Sequence, residues 1–130
     1  MNVRFVGYQP KERLPEVLAS ADLHVVPLRA GLGNVSVPSK TYSILAAGRP
    51  LLAAIDPGTE VPRLVAASGA GTVVPPDDAD AFVRALTDML ADPSRLAAQG
   101  ASGRRFVEDA ASPRAVAAAY AALIDELRAR

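Results

Sequence analysis

Hydroxyl and amine side chains are concentrated in one short stretch of this chain, where Ser39, Lys40, Thr41 and Ser43 follow Pro38. A lysine supplies a positive charge, and serine and threonine hydroxyls form hydrogen bonds, so the combination is suited to binding a phosphate group. The start of a helix would add unpaired backbone N–H groups that favour an anion. Serine and threonine at a helix start are also common caps, and a lysine there is often only solvated. From the residues alone, a phosphate site and a capped helix both stay open.

A second group of candidates lies on either side of this stretch. Gly31 and Gly33 would let the backbone approach a ligand closely, and Asn34 and Ser36 add polar side chains to the same loop. Glu60 follows an Asp-Pro-Gly-Thr turn, where it fits either a helix cap or a ligand contact.

Other reactive side chains are better explained by structural roles. His24 lies within an apolar run and there is no second histidine, so we expect it to be packed or hydrogen-bonded rather than to bind a metal. Arg104 and Arg105 are expected to be solvated or ion-paired on a helix. The sequence has no cysteine, which excludes disulfides and thiolate zinc sites, and we expect neither a cofactor nor a metal.

Short β-branched runs alternate with longer helical patterns along the chain. The runs predict strands at 3–6, 23–26, 50–55 and 72–74. The helical patterns predict helices at 14–20, 38–47, 59–68 and 79–90, and two more that begin at Pro93 and Pro113. This order predicts an α/β fold, a Rossmann-like doubly wound parallel sheet of about four strands in three layers, with extra C-terminal helices.

Composition limits the kinds of partner. The 130 residues suit a single domain, and 14 Lys and Arg balance 14 Asp and Glu, so no net field favours nucleic acid or an anionic membrane. There is neither a signal-peptide pattern nor an apolar run of 18 residues, so we expect a cytoplasmic protein. Abundant alanine fits a bacterial source with high GC content.

Five pieces occur in order between Val3 and about Asp80: V-R-F-V-G-Y, L-P-E-V-L-A-S-A-D-L-H-V-V-P-L, P-S-K-T-Y-S-I-L-A-A-G-R-P-L-L-A, G-T-E-V-P-R-L-V and G-A-G-T-V-V-P-P-D-D. Together they resemble the C-terminal nucleotide-sugar-binding domain of GT-B glycosyltransferases, of the kind called glycosyl transferases group 1 or family 4. The resemblance implies that residues 1–130 are the rear part of such a domain. The N-terminal acceptor domain, on this reading, is supplied elsewhere in cis or in trans.

The resemblance also implies a mechanism and a set of site residues. Such enzymes transfer a sugar from a nucleoside diphosphate to a glycan, lipid or small acceptor, with retention of configuration and usually without a metal. The diphosphate would lie at the start of the helix matching Ser39, Lys40, Thr41 and Ser43. The loop with Gly31, Gly33, Asn34 and Ser36, together with Glu60, would lie beside the donor sugar. At two positions where the family commonly has glutamates, this chain has Val35 and Ser43.

Several alternatives remain at this stage. The chain alone is expected to bind the nucleotide only weakly and to be inactive, with membrane contact arising only through a full enzyme. The alternative is a non-catalytic binding half-domain that complements a separate N-terminal half. A nucleotide-sugar epimerase of the same fold is a lesser alternative, because it would need catalytic carboxylates and a histidine in the cleft. A receiver domain is disfavoured, since no acidic cluster follows the first predicted strand.

Overall fold

The computed structural model describes residues 2–129. Three strands are present, β1 (His24–Pro27), β2 (Leu51–Ala54) and β3 (Gly71–Val74). The α-helices are α1 (Leu14–Ala19), α2 (Lys40–Ala46), α3 (Glu60–Ser68), α4 (Ala79–Leu90), α5 (Pro93–Phe106) and α6 (Pro113–Arg128). A 3-10 turn, Lys11–Arg13, precedes α1, and a π-helix, Val107–Ala111, joins α5 to α6.

The three strands form one parallel sheet in the order β1-β2-β3. In the register of the sheet, Val25 lies beside Leu52, and Leu52 lies beside Thr72. All four residues of β2 are buried, as expected for a central parallel strand with apolar cover on both faces. The predicted α/β architecture is therefore confirmed.

Helices cover the two faces of the sheet and produce two apolar clusters. On one face, Leu45 of α2 and Leu64 of α3 pack with Leu51 and Ala53 of β2. On the other face, Met89 of α4 and Leu96 of α5 pack with Leu52. Because consecutive strand residues point to opposite faces, the single strand β2 contributes to both clusters and makes this a three-layer fold.

Helix α5 lies against the turns that precede β2 and β3, at the amino ends of the strands. Gly100 faces the backbone carbonyl of Gly48, and Gly103 faces Ala70 and Leu45. The hydroxyl of Ser102 also donates a hydrogen bond to the carbonyl of Ser68, at 2.6 Å. The absence of side chains at the two glycines allows the helix to reach these turns.

The predicted first strand, residues 3–6, does not form. Val3, Phe5 and Val6 are exposed by 59%, 94% and 69% of their surface, and the sheet begins at β1. A β-branched run has high strand propensity, but a strand needs a neighbour to receive its backbone hydrogen bonds and its apolar face. Within residues 2–129 these four residues have no such neighbour, so the expected count of about four strands was wrong by one.

Helix α6 carries an apolar stripe that is not buried. Val116, Tyr120, Leu123 and Leu127 are exposed by 42% to 65% of their surface. Helix α6 packs at its N-terminal end against the preceding π-helix and extends from there. Among residues 2–129, no helix has both the length and the hydropathy that a membrane span requires.

Candidate functional site

The carboxyl edge of the sheet brings three chain segments together. Because the strands are parallel, the segments that follow them, 28–39, 55–59 and 75–78, all emerge at the same edge. In open α/β sheets this edge is where ligands bind. Nearly all of the site residues predicted from the sequence lie in or directly after these segments; Ser43 lies elsewhere.

Two aspartates hold the loop that contains the predicted glycines. The carboxylate of Asp56 accepts hydrogen bonds from the N–H of Gly31, at 2.9 and 3.1 Å, and from the N–H of Gly33, at 3.0 Å. The carboxylate of Asp77 accepts one from the N–H of Ala30, at 3.0 Å. These backbone donors are therefore already paired with negatively charged groups.

The local geometry explains why glycine occupies both loop positions. Gly31 has a φ of +84°, which an L-residue with a side chain rarely adopts. At Gly33, an added Cβ would lie 2.9 Å from the methyl group of Thr59 and 3.0 Å from the carboxylate of Asp56. In the structure these glycines allow the loop to close on Asp56, and their close approach to a ligand stays a prediction.

The two aspartates were not recognised as functional candidates from the sequence. In the sequence Asp56 is typical of a turn, and no local pattern marks Asp77. The available signal was position, because each follows a parallel strand within three residues. Asp77 also has a φ of +57°, a left-handed conformation that aspartate tolerates better than most residues.

At the start of α2, the residues predicted to bind a phosphate differ in their exposure. Ser39 and Lys40 are exposed, and the hydroxyl of Ser39 makes no capping hydrogen bond. Thr41 is fully buried, and its hydroxyl donates to the carbonyl of Pro38 at 2.7 Å. Thr41 thus stabilises the first turn, whereas Ser39 and Lys40 are accessible to a ligand.

A cavity of about 370 Å³ adjoins Lys40. Its walls are the segment 6–11 and the side chains of Leu14 and Val17 from α1. The lysine provides a positive charge at the rim of a largely apolar depression. Such a combination suits a ligand with one anionic and one apolar part.

Ser43 lies apart from this cavity. It lines a second cavity of about 430 Å³ between α1 and α2, whose other walls are Leu14, Pro15, Leu18, Ala19, Ala46, Ala47 and Arg104. Arg104 is ion-paired with Glu108 on the surface, with 2.9 Å between Nε and Oε1, as expected from the sequence. The structure therefore does not bring Ser43 together with Asn34 and Ser36, which are exposed in the loop of segment 28–39.

Glu60 connects α3 to α2 through a tyrosine. The carboxylate of Glu60, the first residue of α3, accepts a hydrogen bond from the hydroxyl of Tyr42 at 3.3 Å. Burial raises the pKa of the Tyr42 phenol above its usual 10.0, and the negative charge and hydrogen bond of Glu60 raise it further. The turn before Glu60 is closed by Thr59, whose hydroxyl donates to the carbonyl of Asp56 at 2.8 Å.

Replacing Glu60 with glutamine should lower the pKa of Tyr42, because it removes the negative charge that opposes phenolate formation. Burial, the largest cause, should still keep this pKa above its usual value. Phenolate absorbance measured against pH in a Tyr8→Phe, Tyr120→Phe background would follow Tyr42 alone, since the chain has three tyrosines. An unchanged titration in Glu60→Gln would show that the two side chains do not interact in solution.

The same pair makes stability depend on pH in the alkaline range. The pKa of Tyr42 is higher in the folded state than in the unfolded state. The contribution of this phenol to stability is therefore fully present below pH 10 and is lost as the pH rises through the folded-state pKa. The free energy of unfolding should therefore fall at alkaline pH, and it should fall less in Glu60→Gln.

His24 has the structural role expected from the sequence. Its Nε2 lies 2.8 Å from the carbonyl oxygen of Leu18, so it joins β1 to α1. Within the part of the chain that the structure describes, no group of three or more histidine or acidic side chains is arranged to hold a metal ion.

A three-layer parallel α/β unit with its polar loops at the carboxyl edge of the sheet belongs to the class of Rossmann-like domains. The family model described as Glycosyl transferases group 1 matches residues 1–92, and the chain belongs to this family. The matched range includes every predicted site residue.

Three curated proteins are similar to this chain. A probable glycosyltransferase WbjE of Pseudomonas aeruginosa is 33% identical over 87 residues, which cover 67% of this chain and 22% of that protein. A GDP-mannose-dependent alpha-(1-6)-phosphatidylinositol monomannoside mannosyltransferase of Mycolicibacterium smegmatis is 37% identical over 111 residues, or 83% of this chain and 28% of that protein.

The third relative is a GDP-mannose-dependent monoacylated alpha-(1-6)-phosphatidylinositol monomannoside mannosyltransferase of Corynebacterium glutamicum. It is 34% identical over 110 residues, covering 82% of this chain and 28% of that protein. The chain thus spans less than a third of the length of the curated relatives it matches. No solved structure gave a significant match.

Proposed function

We propose that this chain is the donor-binding portion of a retaining glycosyltransferase and holds a nucleoside-diphosphate sugar at the carboxyl edge of its sheet. Membership of the family supports the reaction class. The observation that carries the site is the exposed Lys40, which follows the exposed Ser39 and lines a cavity of about 370 Å³.

The diphosphate is proposed to lie against Lys40 rather than in the glycine loop. The N–H groups of Gly31 and Gly33 are already paired with the carboxylate of Asp56, whose negative charge would repel a phosphate. Lys40 offers an exposed ammonium group, and Ser39 offers a hydroxyl that is free of any capping bond. Because α2 has only seven residues, the charge of Lys40 is the main attraction and the helix dipole is secondary.

The donor sugar is proposed to lie on the other side of Lys40, towards the loop with Asn34 and Ser36 and towards Glu60. GDP-mannose is the proposed donor, because two of the relatives are named as GDP-mannose-dependent enzymes. In the transfer, the acceptor hydroxyl replaces the nucleoside diphosphate at the anomeric carbon, with retention of configuration. No residue of this chain is assigned a catalytic role.

The acceptor site is proposed to belong to an N-terminal domain supplied in cis or in trans. The relatives named for phosphatidylinositol mannosides suggest a glycolipid among the glycan, lipid and small-molecule acceptors. Any contact with a membrane surface would then come through the complete enzyme. The proposal includes a cytoplasmic location.

Calorimetric titration of the chain with GDP, UDP and ADP tests this function. GDP should bind most tightly, and Lys40→Ala should weaken its binding about tenfold, the usual effect of losing one hydrogen bond to a charged group. Arg114→Ala is the matched control, since Arg114 is an exposed cation at the start of α6 and should leave the affinity unchanged. Absence of binding for all three nucleotides at millimolar concentration would contradict the proposal.

A further inference from the structure

The aspartates in the loops at the carboxyl edge all hold backbone groups in place. Each carboxylate accepts at least one hydrogen bond from a backbone N–H: Asp56 from Gly31 and Gly33, Asp77 from Ala30, and Asp78 from Ala81. A carboxylate that binds the hydroxyl groups of a sugar needs free acceptor positions and an orientation towards the ligand. These three aspartates are already committed to the loops and to the start of α4.

Glu60 is bonded to a side chain instead. It is exposed and begins α3, and its carboxylate accepts the hydrogen bond from the hydroxyl of Tyr42 at 3.3 Å. A carboxylate has about four acceptor positions, so this one bond leaves the others to a ligand. Asp80 is exposed as well, but it lies on α4, which packs on the opposite face of the sheet from α2 and α3.

Tyr42 is suited to orient the carboxylate of Glu60. Its ring is half-buried and packs against the apolar cluster that contains Leu45 and Leu64, so the core holds the ring while the hydroxyl reaches Glu60. Burial, and then the charge of Glu60, raise the pKa of the phenol, so the hydroxyl keeps its proton at neutral pH and is the donor of this pair. The distance of 3.3 Å exceeds the usual value of about 2.8 Å, and such bonds in binding sites often shorten when the substrate binds.

Glu60 is joined to both parts of the proposed donor site. The preceding residue, Thr59, lies so close to Gly33 that a Cβ added there would be 2.9 Å from its methyl group. Tyr42 belongs to α2, two residues after Lys40. Residues two apart point to different sides of a helix, so Lys40 and Tyr42 lie on either side of the first turn of α2. A sugar attached to a diphosphate at Lys40 would pass the beginning of α2 and meet Glu60.

We propose that Tyr42 is a positioning residue for the donor sugar, because its hydroxyl orients the carboxylate of Glu60 towards the hydroxyl groups of that sugar. This inference rests on the proposed function and extends it from the nucleotide to the recognition of the sugar. A surface glutamate loses conformational freedom when a ligand fixes it, and this loss weakens binding. The hydrogen bond from Tyr42 restricts Glu60 beforehand, so less freedom is lost when the sugar binds.

Calorimetric titration with GDP-mannose and with the β-methyl ester of GDP tests the proposal. The two ligands carry the same charge and differ in the sugar, so the ratio of the dissociation constant of the ester to that of GDP-mannose measures the contribution of the sugar. This ratio should fall about fivefold in Tyr42→Phe and about tenfold in Glu60→Ala, the usual effects of losing hydrogen bonds that involve a charged group. The affinity of Tyr42→Phe for the methyl ester should be unchanged, which also shows that the variant is folded.

The double variant Tyr42→Phe, Glu60→Ala separates positioning from direct contact. A positioning residue acts through its partner, so the ratio should fall no further in the double variant than in Glu60→Ala alone. Two matched controls should leave the ratio unchanged. Tyr120→Phe removes an exposed hydroxyl from α6, and Asp80→Ala removes an exposed carboxylate from α4.

An unchanged ratio in Tyr42→Phe would overturn the proposal. Equal weakening of both ligands in this variant would also overturn it, since the pair would then only fasten α2 to α3. A further fall in the double variant would contradict it as well, because Tyr42 would then act on the sugar without Glu60. If the methyl ester does not bind the unaltered chain at millimolar concentration, the proposed function itself fails, and this inference fails with it.

Discussion

Gly100→Ala is expected to lower the free energy of unfolding by about 3 kcal/mol, near the upper end of the usual cost of overpacking. In an uncrowded helix the same change would stabilise the protein by about 1 kcal/mol, because alanine has the higher helix propensity. Here the new methyl group would collide with the backbone carbonyl of Gly48, which cannot rotate away as a side chain could. Helix α5 would have to move away from the turn before β2.

Urea unfolding of Gly100→Ala measures this effect. A lower free energy of unfolding indicates steric crowding at Gly48, and a higher one indicates that helix propensity dominates. Ala101→Gly, at the adjacent exposed position of α5, is the control that gives the propensity effect alone, a loss of about 1 kcal/mol. A Gly100→Ala protein as stable as the parent, or more stable, would show that α5 does not lie against Gly48.

Asp56→Ala should release the loop at the carboxyl edge and lower the free energy of unfolding by about 2 kcal/mol, the usual range for hydrogen bonds to a charged group. The substitution removes the acceptor for the N–H groups of both Gly31 and Gly33. Amide hydrogen exchange should become faster at these two residues, while exchange in β2 follows only the change in global stability.

The matched control for Asp56→Ala is Asp80→Ala, which removes an exposed carboxylate from the first turn of α4. It should leave exchange at Gly31 and Gly33 unchanged. If Asp56→Ala also left it unchanged, the carboxylate would not hold the loop. In that case the loop N–H groups would be available to a phosphate, and the position proposed for the diphosphate would have to be reconsidered.

The sequence predicted those features that depend on local pattern. Helix α4 begins and ends where its apolar spacing places it, and Pro93 and Pro113 mark the first residues of α5 and α6. The buried run of β2 was recognised because both of its faces are apolar.

Features that depend on distant partners were not predictable in the same way. Residues 3–6 have the composition of a strand, but pairing decides whether a strand forms, and pairing is not local. Asp56 looks like an ordinary turn residue, because its partners Gly31 and Gly33 are more than 20 residues away. Ser43 shares a short helix with Lys40, yet the turn of the helix directs it to a different cavity.

The proposed binding of a nucleoside diphosphate at the carboxyl edge, beside Lys40, can be observed residue by residue. The most direct test is to titrate the isotope-labelled chain with millimolar GDP and to follow its backbone amide resonances by NMR. Shifts are expected in residues 34–42 and at Glu60, with α5 and α6 unaffected, and these shifts should be lost in Lys40→Ala. Shifts confined to the cavity around Ser43, or the same shifts in Lys40→Ala, would contradict it.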